Sequence, residues 1–189
     1  MEESNLTPFI RQKLDILFVG LNPAFGSSRN KHYFSVFQSF WSQLFESGLI
    51  TSNVDKSNAD EIIFGSTQKN FNNWSFGITD LVTEVAENKS SKIKPTRTHV
   101  RRLLDTIKEN EPIVVILLHG KVLDKVLSFL GYDTPDANSG ELGKILKDYE
   151  SNFFNMAFPH GNTITSVDKV KRYFEVKDYL INKKSTNSN

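Results

Sequence analysis

At 189 residues, 38% apolar and 24% charged, the chain has the size and composition of one domain with a two- or three-layer core. A net charge of +1 excludes capture of nucleic acid by a global positive field and leaves that task to a local basic patch. With no cysteine, disulfides, thiolate–zinc sites and cysteine-held iron–sulfur clusters are excluded as well.

Residues 1–10 show no signal-peptide pattern and are expected to form a flexible end. No apolar run approaches membrane-spanning length, so an intracellular, cytoplasmic protein is expected, or a nuclear one in a eukaryote. The run Asp15–Val19 is short, apolar and rich in β-formers, the pattern of a strand covered on both faces. It ends in Gly20-Leu21-Asn22-Pro23, where Gly20 allows a sharp exit and Pro23 fixes φ. A residue before proline is pushed towards an extended backbone, so Asn22 is held stiffly. Its carboxamide either serves a structural Asn-Pro turn or stands ready to accept and donate in a site.

Phe37, Phe40, Trp41, Leu44 and Phe45 recur at helical spacing, and residues 53–58 read as a loop. Trp74–Val82 is a strand candidate containing Asp80, a turn residue or a site residue. Val100, Leu103, Leu104 and Ile107 mark a helix, Pro112–Leu118 a strand, and Val122, Leu123, Val126, Leu127 and Leu130 a further helix. Residues 132–143 read as a loop and Asn152–Phe158 as a strand. The connection Phe158–Ser166 offers backbone N–H groups that suit a phosphate, or merely joins strand to helix. A last helix spans roughly Val167–Ile181, capped by Thr165 or Ser166, and residues 183–189 are expected as a second flexible end.

Strands alternating with helices predict a three-layer α/β/α sandwich around a mostly parallel central sheet, in a single domain over residues 1–189. Ligand sites in such folds lie beyond the carboxyl ends of the strands, which puts residues 20–26 and 158–162 on one rim. The four histidines show no metal-ligand spacing, so no metal and no other cofactor is expected.

The order Gly20-Leu21-Asn22-Pro23-Ala24, Phe34, Phe40-Trp41, Gly77-Ile78-Thr79-Asp80, Leu117-Leu118-His119-Gly120-Lys121 and Phe158-Pro159-His160-Gly161 resembles the uracil-DNA glycosylase superfamily. It is most similar to the mismatch-specific uracil- and thymine-DNA glycosylases, over most of the chain. The resemblance implies a monofunctional DNA glycosylase, monomeric and metal-free, acting on DNA that carries a damaged or mismatched base. Such chemistry requires extruding the nucleotide into a pocket. By the same resemblance Asn22 positions the attacking water. Phe34 stacks on the flipped base, beside Gly20, Leu21, Pro23 and Asp80. Pro159, His160, Gly161 and Asn162 form the DNA-binding loop, with Ile164 as a candidate wedge.

Two departures matter. Relatives carry Asn-Pro-Ser-Gly in the last motif, so His160 stands where a small serine is expected, and a functional histidine elsewhere in the superfamily precedes the proline. Several relatives have a base-reading Asn where this chain has Asp80. Ionised, Asp80 only accepts, which suits an exocyclic amine. Protonated, it imitates Asn, and a third alternative leaves it unused for reading. For DNA contact the densest basic run is 89–102, with Lys169, Lys171 and Arg172 further on. The rival readings are a non-catalytic DNA- or nucleobase-binding relative and an unrelated nucleotide-binding module.

Overall fold

A computed structural model describes residues 1–186. In chain order the elements begin with strands β1 (Glu2–Glu3) and β2 (Ile16–Gly20) and helices α1 (Phe25–Asn30), α2 (Ser39–Glu46) and α3 (Ala59–Ile63). Then come β3 (Phe76–Asp80), β4 (Val85–Ala86), α4 (Arg97–Asn110), β5 (Val114–Leu117) and α5 (Gly120–Leu130). Strands β6 (Gly140–Gly143) and β7 (Asn152–Asn155) and helix α6 (Ser166–Thr186) complete the described chain.

The main sheet has the order β3-β2-β5-β7-β6, parallel except for β6 at one edge. The central strands β2 and β5 are apolar on both faces because both faces are covered. Ile16, Phe18, Val114 and Ile116 pack with Phe40, Trp41 and Leu44 of α2 and Tyr173, Val176 and Leu180 of α6. Leu17, Val19, Val115 and Leu117 pack on the opposite side with Leu103 and Ile107 of α4 and Val122 and Val126 of α5. The result is the expected three-layer α/β/α sandwich. Each large apolar side chain buried this way contributes roughly 1.5–3 kcal/mol by leaving water.

Helix starts follow capping chemistry. Thr96 accepts from the His99 backbone N–H while the His99 ring accepts from the Thr96 N–H, a reciprocal box at the head of α4. Thr165, rather than Ser166, caps α6 by accepting from the Asp168 N–H at 3.1 Å. Helix α5 stops at Gly131, whose φ of +83° is the left-handed end that glycine adopts without strain.

Three expectations need correction. Residues 1–10 are built into the fold: β1 pairs with β4, Leu6 is buried, and Phe9 exchanges backbone hydrogen bonds with Ile78 at the sheet edge. Residues 183–186 continue α6, and 187–189 of that expected flexible end lie outside the described residues. The expected loop over 132–143 contains β6, whose Gly-Glu-Leu-Gly sequence has no β-forming alternation and pairs through a register shift.

Candidate functional site

The turn after β2 does not hang loose beyond the sheet. Gly20, Leu21 and Pro23 carbonyls accept from the N–H groups of Leu81, Val82 and Glu87 at 2.8, 2.9 and 3.0 Å, extending the pairing past the strand end. Against this frame Asn22 Nδ2 donates to the carbonyls of Pro23 (2.8 Å) and Glu87 (2.9 Å). Two carbonyls accept only, so the nitrogen must be the atom that faces them. Oδ1 is then the atom left for whatever occupies the adjoining cavity.

That cavity has a volume of about 800 Å³ and lies at the carboxyl ends of β2, β3, β5 and β7. It falls within the range of pockets that enclose small organic ligands and exceeds the need of a base alone. Gly20, Leu21, Asn22, Pro23, Phe34 and Asp80 all line it. So do His160, Gly161, Asn162 and Ile164 from the far side.

Phe34 is half-buried, with one face laid on Phe40 (ring centres 4.0 Å apart, planes at 22°) and its carbonyl accepting from Trp41 Nε1 at 3.3 Å. Its φ of +51° is a conformation that a bulky residue rarely holds, and such strain clusters at functional sites. Backed by Phe40, the ring is a rigid platform on the cavity wall.

Asp80 is 4% exposed, and its Oδ2 has no hydrogen-bond partner among the described residues. Burial pushes its carboxyl up to about 7, with the nearby Arg102 guanidinium pulling the other way. Arg102 does not reach the carboxylate to bond it; its Nη2 donates to the backbone carbonyls of Asp80 and Leu81. A Cβ at Gly20 would lie 2.2 Å from Asp80 Oδ1, so Gly20 is required there by the carboxyl itself.

The far wall is tied from behind. Pro159 is buried and does not line the cavity; its carbonyl accepts from Gln43 Nε2 (3.0 Å) and from the buried Lys169 Nζ (3.3 Å). Burial lowers the Lys169 ammonium. Asn162 spends its amide on the carbonyls of Phe158 and His160, stitching the loop. The His160 ring lies between Phe37 and Phe158, with Nδ1 sealed and unpartnered among the described residues; burial and then Lys169 lower its basicity. Ile164 is half-buried on the wall, whereas Phe37 at the mouth is 52% exposed.

Tyr33, Glu87 and His119 line the same cavity, and sequence reasoning gave them no role. Tyr33 and Glu87 carry no local signal, because their place depends on tertiary packing. His119 had one: it follows an apolar strand and precedes Gly120, the position of a helix cap on the ligand-bearing rim. The basic run 89–102 is partly consumed inside the protein: Lys92 pairs with Glu87 at 3.5 Å, Arg97 lies over Phe129, and Arg102 is spent on carbonyls. Lys169 and Arg172 are also engaged, the latter with Glu175 at 2.7 Å.

Among the described residues no group of three or more His, Cys, Asp or Glu is arranged to hold a metal ion. No described helix is long and apolar enough to cross a membrane. Compared with known proteins, residues 7–177 match the family described as the uracil DNA glycosylase superfamily. No curated protein matches the chain.

Proposed function

The chain belongs to the uracil DNA glycosylase superfamily, and from that premise we propose that it hydrolyses the N-glycosidic bond of uracil, or of a related deaminated or mismatched base flipped out of DNA. The observation that carries this reading is the meeting of Asn22 and Phe34 on one cavity, the first with its amide anchored and the second backed by Phe40. The Phe34 face takes the base. Asn22 Oδ1 accepts a hydrogen bond from a water and aims its oxygen at C1′ of the sugar. A carboxamide has no useful pKa, so Asn22 orients the water without deprotonating it, and catalysis rests on geometry and on stabilising the departing base. Asp80 faces the polar edge of the base, and the loop 159–162 with Ile164 meets the flanking backbone. The chemistry uses no metal and no cofactor.

The test is a panel of oligonucleotides carrying uracil, hypoxanthine, thymine mispairs or modified cytosines, with abasic sites converted to strand breaks by alkali. Breaks on at least one substrate are expected, with Asn22→Ala reducing the rate by roughly 10²–10³-fold if the water is its charge. Binding without breaks in the parent protein overturns the reading in favour of a non-catalytic nucleobase-binding relative.

A further inference from the structure

A base that leaves with the bonding electron pair carries its negative charge onto ring carbonyl oxygens, and something must donate to them. Several side chains around this cavity have their donors committed elsewhere, Arg29 to Glu2 among them. Asn22 and Asn162 have spent their amides on carbonyls. Glu87 is a carboxylate engaged by the Lys89 N–H and Lys92, Asp80 can donate only while its carboxyl stays protonated, up to about pH 7, and the Tyr33 hydroxyl sits within electrostatic reach of Asp80. The His160 Nδ1 is sealed away without a partner among the described residues, so nothing fixes the tautomer of that ring.

His119 differs. It is the N-cap of α5, and its Nδ1 accepts from the Lys121 backbone N–H at 3.0 Å. An accepting Nδ1 is unprotonated, so the ring proton resides on Nε2. The half-buried ring lines the cavity together with Gly120, with the Phe158 ring edge-on at 6.1 Å. Burial, and then Lys121, depress the basicity of the imidazole, so it stays neutral around neutral pH. The Lys121 ammonium itself is turned aside, donating to the carbonyls of Ser90 and Ile93. The first turn of α5 adds the positive end of its dipole at the same place.

We propose that His119 is a second catalytic residue of this site, a neutral imidazole that donates its Nε2–H to a carbonyl oxygen of the departing base. The assignment rests on the glycosylase reading above. In the step itself the water oxygen bonds to C1′ as the C1′–N bond breaks. The electron pair stays with the base nitrogen, and the proton lost by the water neutralises the released base. His119 keeps its own proton throughout; it stabilises charge and does not transfer it.

His119→Asn separates the two jobs of this side chain. Asn is a good N-cap, so α5 keeps its acceptor, but the shorter amide no longer reaches the position of Nε2. The probe is whichever oligonucleotide of the panel the parent cuts fastest, followed in single turnover. The expected result is a rate lowered by roughly 10²–10³-fold with an unchanged Tm. Affinity for the same duplex, compared between Asn22→Ala and Asn22→Ala/His119→Asn, should agree within about twofold, because a charge-stabilising donor acts on the transition state. His119→Gln, whose amide reaches farther, should recover part of the rate. The deficit should also shrink on 5-fluorouracil, which leaves as a more stable anion and needs the donor less. Equal rates for parent and His119→Asn, or a rate loss matched by an affinity loss, overturn the assignment while leaving the glycosylase reading standing. A parent that releases no base from any substrate removes that reading, and this inference with it.

Discussion

Asp80 Oδ2 is sealed from water without a partner among the described residues, so ionising this carboxyl works against its surroundings. With its pKa pushed from the ordinary carboxylate range up to about 7, Asp80 is protonated in the fold between about pH 4 and 7, where the unfolded chain has lost the proton. The folded state then binds more protons, and stability falls as pH rises through that window and levels above it. The full effect is on the order of 4 kcal/mol. Thermal unfolding across pH 4–8 should show Asp80→Asn gaining on the parent protein as pH rises to about 7, then running parallel to it; a constant gap would remove the claim. In the proposed reaction the same ionisation would set a negative charge beside a base leaving as an anion, so base release should decline above about pH 7 in the parent and stay level in Asp80→Asn. Gly20 is coupled to this carboxyl by contact. Gly20→Ala sets a methyl group 2.2 Å from Asp80 Oδ1 and should cost about 1–3 kcal/mol in urea unfolding. Most of that should return in Gly20→Ala/Asp80→Ala.

The elements differ in how plainly they announce themselves. Strands β2 and β5 are runs of Ile, Leu, Phe and Val with no polar interruption, and α4 shows its buried stripe at Val100, Leu103, Leu104 and Ile107. These were readable because local propensity and tertiary burial agree. Strand β6 was not, since Gly140–Gly143 has no β-forming run and its irregular pairing with β7 is a tertiary contact. Nor was β1, where two glutamates form a strand against Val85–Ala86. Helix α1 has neither an apolar stripe nor a side-chain cap, and its start is fixed from outside by Asn88 Oδ1 accepting from the Phe25 N–H at 3.0 Å. At α4 the cap is local and testable: Thr96→Ala should lower stability by about 1 kcal/mol, read as a shift in the urea midpoint. Base release should be unchanged, because Thr96 lies outside the cavity lining.

Over the whole molecule, charge is nearly balanced, and much of the basic run that looked available for DNA is engaged internally by Glu87, Phe129 and backbone carbonyls. A duplex met only by cations outside these engagements should release few counterions on binding. The slope of log Kd against log salt for a lesion duplex should stay below about 4 in magnitude, measured by fluorescence anisotropy. A slope near 8 would mean that cations remote from the cavity carry the binding. The candidate site itself was legible where a motif fixes the backbone, as at Asn22-Pro23, and where an aromatic follows at family spacing, as at Phe34. It was not legible where distant segments supply the groups, as with Tyr33 and Glu87, nor where an orphaned oxygen such as Asp80 Oδ2 exists only once the core has closed. The Asn22-Pro23 pair also bears on how the molecule ages. Spontaneous conversion of asparagine to aspartate proceeds by ring closure onto the following main-chain nitrogen, and proline offers no N–H for it. A carboxylate at position 22 would in any case point its lone pairs at the Pro23 and Glu87 carbonyls, which now hold the amide. Pro23 thus closes the spontaneous route to an acidic side chain at position 22, and the two carbonyls disfavour one placed there by substitution.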